Sequence, residues 1–133
     1  MNSMLYELQK SVYSALSGDT TLAALIEGVY DDPPENTSYP YITLGDVTSV
    51  PWRSHDRPGE EATITIHIWS QQAGFTEALS ILKETNRILG YVNLSVTGWD
   101  IVRCEYEFSE TLRDLDGLTR HVPVRYRVRG LEI

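Results

Sequence analysis

Cysteine is almost missing from this chain: Cys104 stands alone among 133 residues, so no internal disulfide can staple the fold. Basic residues are scarce too, eleven Lys and Arg against nineteen Asp and Glu, for a formal charge of −8. Nucleic-acid binders draw much of their affinity from phosphate contacts, so this balance argues against that role. No apolar run approaches the roughly 20 residues that cross a bilayer. Met1 to Lys10 lacks the form of a secretory signal, so folding in a cytoplasmic compartment is expected. The glycosylation patterns Asn36-Thr37-Ser38 and Asn93-Leu94-Ser95 then read as chance. Internal repeats and low-complexity runs are absent, and 41% hydrophobic content fits one globular domain spanning residues 1–133.

Recognisable catalytic chemistry is also missing. The sequence has no G-x-S-x-G elbow and no phosphate-cradling glycine loop. His55, His67 and His121 lack metal-ligand spacing. The carboxylate pairs Asp31-Asp32, Glu60-Glu61 and Asp114 with Asp116 fall at loop or strand ends, where they read as surface charge. General acid–base work would place such pairs in a buried cleft. We therefore expect no catalytic, cofactor-binding or metal-binding residues, and no enzyme.

What the chain does carry is a pair of alternating runs. Val102, Cys104, Tyr106 and Phe108 take every second position, with Arg103, Glu105 and Glu107 between them. Val122, Val124, Tyr126 and Val128 repeat the pattern, with Arg125, Arg127 and Arg129 between them. Period-two alternation sends one set to a core and the other to water or a partner. The intervening Leu115-Asp116-Gly117 suits a three-residue hairpin loop, with Gly117 at positive φ. A two-residue loop would set core against solvent all along the ladder, because a one-residue slip flips every side chain. The chosen register pairs Phe108 with Val124, Tyr106 with Tyr126 and Cys104 with Val128, and sets Glu107 against Arg125 and Glu105 against Arg127. Cys104 is then a small buried residue.

Elsewhere, Leu5, Leu8, Val12 and Leu16 recur at helical spacing, with Asn2 or Ser3 as cap and Gly18 as a left-handed stop. A second helix is predicted from Thr20 to Glu27, capped by Asp19 and buried through Leu22, Leu25 and Ile26. Val29-Tyr30 begins a short strand, and Asp31-Asp32-Pro33-Pro34 breaks regular structure. Tyr39 to Val47 reads as a strand entered through a proline, and Ser49 to Gly59 as a long polar loop of the kind that often carries function. Glu61 to Ser70 is an interior strand: Ala62, Ile64, Ile66 and Ile68 form one face, and Thr63, Thr65, His67 and Trp69 the other. Phe75, Leu79, Leu82, Asn86 and Leu89, with Ala78, Ile81 and Ile88, form the main amphipathic helix, stopped by Gly90. Leu94 and Val96 suit a brief extended segment. The order predicts an α+β fold, an antiparallel or mixed sheet of about four main strands with helices on one face.

Three tryptophans fall outside the core stripes: Trp52 in the polar loop, Trp69 on the outer parity of its strand and Trp99 after a glycine. Such residues suit local lids or interface anchors. The subunit-interface candidates are Trp52, Arg53, His55, Arg57, Trp69, Glu105, Glu107, Arg125, Arg127 and Arg129.

In this order the blocks look familiar. Leu8 to Leu16 resembles the opening helix of the small tail-completion (tail terminator) proteins of long-tailed bacteriophages and gene-transfer agents. Val29-Tyr30-Asp31, Tyr39 to Gly45, Gly59-Glu60-Glu61 leading into Thr65 to Ser70, and Leu112 to His121 are similar as well, whereas Tyr91 to Asp100 is not. The resemblance implies a structural virion protein assembled in the host cytoplasm, similar to the tail terminator of lambda-like phages. It would form a hexameric ring with itself at the head-proximal end of the tail tube. That ring would end polymerisation and dock the head. Its partners would be the tail-tube protein and the head–tail connector protein, with DNA passing through unbound and no membrane involved. No catalytic residue or cofactor transfers. The rival readings are a connector (neck) protein or tail-tube subunit and, more distantly, a small cytoplasmic binding module or enzyme.

Overall fold

The computed structural model describes residues 3–53, 56–90 and 94–133. Its frame is two long strands whose alternation is uninterrupted. β3 (Gly59–Ser70) and β6 (Arg120–Glu132) pair antiparallel from Gly59 opposite Leu131 to Ser70 opposite Arg120, without a bulge. Ala62, Ile64, Ile66 and Ile68 therefore share the buried face with Val122, Val124, Tyr126 and Val128. The remaining strands are β1 (Val29–Tyr30), β2 (Tyr41–Pro51), β4 (Trp99–Ser109) and β5 (Leu112–Arg113). The sheet runs β1-β2-β3-β6-β4, and β5 also pairs with β6. The β1–β2 pairing is parallel and all others are antiparallel.

Helices cover the apolar face. α1 (Leu5–Ser17) buries Leu8, Val12 and Leu16, and α3 (Thr76–Leu89) buries Ala78, Ile81, Thr85 and Leu89. α1 packs on β1 and β2, and α3 on β3, β4 and β6. The expected α+β fold, with helices on one side of a mixed sheet, is what the chain adopts; among the described residues the sheet has six strands, two of them only two residues long. Glu60, expected as surface charge, is instead buried and ties α1 to the sheet: its carboxylate accepts from the Met4 backbone N–H (3.0 Å) and from the Ser3 and Ser49 hydroxyls.

Several local expectations are corrected. α1 has Met4 at its N-cap position, with Ser3 Oγ accepting from the Leu5 N–H; Asn2 lies outside the described residues. Gly18 ends α1 at φ −87°, right-handed rather than left-handed. α2 (Thr20–Ala23) is one turn capped by Asp19, and of its expected stripe only Leu22 is buried, because Leu25 and Ile26 lie beyond the helix. Leu79 is exposed, since the buried stripe of α3 follows Ala78, Ile81 and Thr85. The expected 49–59 loop is shorter, because β2 runs on to Pro51 and β3 starts at Gly59.

The hairpin register is half as expected. Cys104 faces Val128, Glu105 faces Arg127 and Tyr106 faces Tyr126. Phe108, however, faces Arg125 rather than Val124, because a bulge inserts Glu107 between Tyr106 and Phe108. A second bulge, between Ile101 and Arg103, turns Val102 outward, so Val102 and Phe108 are exposed and the core stripe of β4 is shorter than its alternation suggests. The ladder beside β6 also breaks between Ser109 and Leu112, opposite Val122 and Pro123. Proline has no N–H to offer a ladder, so the break falls where a donor is missing. The turn spans Leu115 to Leu118, one residue longer than expected, and is closed by the Asp114 N–H donating to the Thr119 carbonyl. Gly117 has φ +71°, the positive value the loop requires. Cys104 is buried as expected; its thiol donates to the Leu89 carbonyl, and burial pushes its pKa up to about 12.

The fold's main polar tie between layers is Tyr126. Its buried hydroxyl lies 2.7 Å from Asn86 Oδ1 and 3.0 Å from Thr85 Oγ1, joining β6 to α3. Tyr126→Phe keeps the volume but leaves those groups short of a partner, so it should cost about 1–2 kcal/mol. Urea unfolding reads this directly; an unchanged midpoint would mean the bond contributes nothing.

Candidate assembly face

Alternation that buries the isoleucines of β3 and the valines of β6 must present their neighbours on the opposite side, which no helix among the described residues covers. That outer face has two zones, a charged one beside Glu61 and an aromatic one beside Trp69.

The charged zone is a lattice across three strands. Arg127 bridges Glu61 of β3 and Glu107 of β4. Arg129 Nε donates to Glu61 Oε2 (2.6 Å), and Arg125 Nε to Glu107 Oε2 (3.0 Å). The Arg125 guanidinium lies 5.1 Å from the Phe108 ring centroid and that of Arg129 5.9 Å from Trp52. Hydrogen bonds from Arg129 to Glu61, and from Arg127 to Glu107, hold both carboxyls below the usual range against their partial desolvation. An isolated exposed pair contributes only about 0–1 kcal/mol, so the lattice matters through its connectivity and fixed geometry. Glu105 does not join it: it faces Arg127 in the backbone register, yet its carboxylate lies 3.8 Å from Arg103. The bulge at Glu107 places that residue between Arg125 and Arg127 instead.

The aromatic zone is built by register. Tyr41 of β2 lies opposite Trp69 of β3, which lies opposite His121 of β6. The Trp69 and His121 rings stack at 4.0 Å and 8°, and Tyr41 follows at 6.4 Å from Trp69. Trp69 Nε1 donates to Thr43 Oγ1 (3.0 Å), and His67 Nδ1 sits 2.7 Å from His121 Nε2. Gly45 leaves room for this pair: a Cβ there would stand 2.5 Å from His67 Nε2. Burial pushes the Tyr41 hydroxyl up to about 12, assisted by Tyr39.

The other candidates divide. Trp52 is half-buried and its backbone N–H donates to the Gly59 carbonyl, closing the loop. Arg53 is exposed. Arg57 turns back onto its own domain, donating to Asp100 Oδ2 (2.7 Å) and the Glu132 carbonyl (2.9 Å). His55 lies outside the described residues. Trp99 is buried, so it belongs to the core and not to an interface. Sequence reasoning missed Glu61, Tyr41 and the pairing of His67 with His121. Their outer-face parity was visible, but neither the adjacency of β3 to β6, which brings Glu61 to the arginines and His67 to His121, nor the β2–β3 register that sets Tyr41 opposite Trp69, was. Among the described residues, no group of three or more His, Cys, Asp or Glu is placed to hold a metal ion.

Desolvation lowers the pKa of both imidazoles; His67 lowers that of His121 further, while Asp46 and Asp114 oppose these shifts. A depressed imidazole means the unfolded chain binds more protons, so this stability is complete above about pH 6.5 and is lost as pH falls below it. The depressed Glu61 and Glu107 act the same way lower down, their contribution fading below about pH 4.3. The urea midpoint should therefore fall between about pH 6.5 and 5 in the native protein and fall less in a His67→Gln/His121→Gln variant. Equal slopes would contradict the assignment.

Comparison with known proteins places this architecture. The sequence profile of the family described as "Tail completion protein gp17" matches residues 10–130. The chain is 28% identical over 125 residues to the tail completion protein gp17 of Bacillus phage SPP1, covering 92% of each. The solved structure of bacteriophage SPP1 gp17 aligns at a TM-score of 0.61 with 26% identity, over 95% of this chain and 88% of that one. A chain from the virion of a native gene transfer agent particle shares the fold at a TM-score of 0.89 with 23% identity, over 98% and 99%.

Proposed function

Since the chain belongs to the tail completion protein gp17 family, whose members are structural tail proteins, we propose that it closes into a ring on the head-proximal end of the tail tube. The ring, a hexamer in this reading, ends tube growth and offers the surface on which the head connector docks. The observation that carries this is the outer sheet face. In one copy it holds stacked aromatics and a fixed arginine–glutamate lattice, half-buried and without a helical cover. Large aromatics and arginines in that setting are what subunit interfaces favour.

Ring closure needs a heterologous contact, in which two different surfaces of one chain meet. The two ring faces must also differ, one matching the last ring of the tube and the other not, or growth would continue. Arg125, Arg127 and Arg129 suit the intersubunit contact, pairing with acidic residues of a neighbour as well as with Glu61 and Glu107. With nineteen acidic against eleven basic residues, the ring lets DNA slide through its lumen without holding it.

Adding the purified protein to elongating tail tubes should halt growth at one defined end; tubes that lengthen past it would refute termination. Self-polymerisation into open tubes would instead favour a tube subunit. Arg127→Glu, with folding checked by circular dichroism, should reduce ring assembly on tube ends. Rings that form undiminished would remove the arginine row from the interface.

A further inference from the structure

The hairpin turn that follows β5 carries two exposed leucines, one of which, Leu115, touches almost nothing of its own domain. Leu115 is fully exposed, at 108% of its reference area, and Leu118 is exposed beside it. The turn that carries them is tied down by its own hydrogen bonds. Asp116 Oδ1 accepts from the Leu118 and Thr119 N–H groups at 2.8 Å each, and Asp116 Oδ2 accepts from the Thr119 hydroxyl at 2.7 Å. Arg120, itself buried, donates to the Leu118 carbonyl at 2.7 Å. A preordered turn loses little entropy when it docks, and exposed leucines at such a tip do nothing for the single copy.

A complementary surface lies across the domain. The outward face of α1 carries Tyr6 and Tyr13, 68% and 45% exposed, with Lys10 between them. The Lys10 ammonium is 5.1 Å from the Tyr6 ring centroid, and its carboxylate neighbour among the described residues is Glu7, at 3.9 Å. A shallow recess opens beside it, lined by Tyr13, Ser14 and Leu44, with Asp31 at its rim engaged by the Gln9 amide. The two surfaces match in character: a leucine flanked by the exposed Asp114 and Asp116 on one, tyrosines around a lysine on the other. They also lie at opposite edges of the sheet. β5 extends the side of β6 that carries β4, whereas α1 packs over β1 and β2.

We infer that the hairpin tip of one copy docks against α1 of the next copy, Leu115 entering the recess beside Tyr13 and Asp114 facing Lys10. The inference rests on the ring reading above and supplies its heterologous contact: an edge that gives the tip and an opposite edge that receives it. Each copy uses both, so the chain of contacts can close.

The test uses full-length protein in assembled tails. Cysteines are placed by Leu115→Cys and Ser14→Cys, the native Cys104 being buried. A short thiol cross-linker should yield a ladder ending in a closed oligomer with the double variant and only monomer with either single variant. Leu115→Asp, which alters a fully exposed turn, should leave the urea midpoint unchanged and lower ring occupancy at tube ends by about tenfold. Lys10→Glu should lower it as well, and Asp114→Lys in the same chain should restore it. Rings that form without cross-links and tolerate Leu115→Asp would overturn this contact while leaving the ring intact. Dimers from Leu115→Cys alone would indicate tip-to-tip pairing and overturn the head-to-tail arrangement. Native protein that forms no ring on tubes would overturn both readings.

Discussion

The unbroken register between β3 and β6 is the constraint from which the rest follows. Along twelve residues of β3, each core isoleucine or alanine has a valine or tyrosine opposite it, and each outer residue has another outer residue. A one-residue slip would send Arg125, Arg127 and Arg129 into the core beneath α3, a cost no surface pairing could offset. Both edges of the frame are irregular by contrast. β2 is interrupted between Leu44 and Val47, β4 at two places, and β5 is separated from β4 opposite Pro123. Bulges and breaks at the edges increase twist and discourage uncontrolled strand addition. In the proposed ring, that restraint would keep assembly from running on past closure.

With one face of this frame roofed by α1 and α3, the opposite face must satisfy its polar groups by itself. It does so laterally. Glu61 and Glu107 each receive two arginines, while Trp69 stacks between Tyr41 and His121 and donates to Thr43. These side chains lose rotamer freedom before any partner arrives, which reduces the entropic cost of association. The same preorganisation operates at the hairpin tip through Asp116 and Gly117. Under the proposed assembly, a monomer built in this way would be shaped in advance for contacts it does not make alone.

Much of the frame was legible in the sequence because alternation is a local signal. The isoleucines of β3, the valines of β6, the buried Cys104 and the stripe of α1 all follow from spacing alone. The misses have physical causes that spacing does not carry. Bulges reversed Val102 and Phe108 and moved Glu107, because a single inserted residue changes every parity beyond it. Pro123 split the final hairpin into two ladders. α2 stopped after one turn although its apolar spacing continued. Among site residues, Arg125, Arg127, Arg129, Glu107 and Trp69 stand on the outer face, but Glu61 and His121 became their partners only through the β3–β6 adjacency, a long-range fact. Arg57 illustrates the converse: an arginine in a polar loop can be committed to its own backbone, here the Glu132 carbonyl. The family resemblance carried the functional reading further than residue chemistry could, since a structural tail completion protein needs no catalytic group.

The central claim is that the helix-free sheet face of each copy is covered by neighbouring subunits in the finished tail. Arginine-selective chemical modification, compared residue by residue between the free protein and purified tails, tests it most directly. The account predicts that Arg125, Arg127 and Arg129 react in the free chain and become protected in tails. Equal reactivity of all three in both states would contradict it.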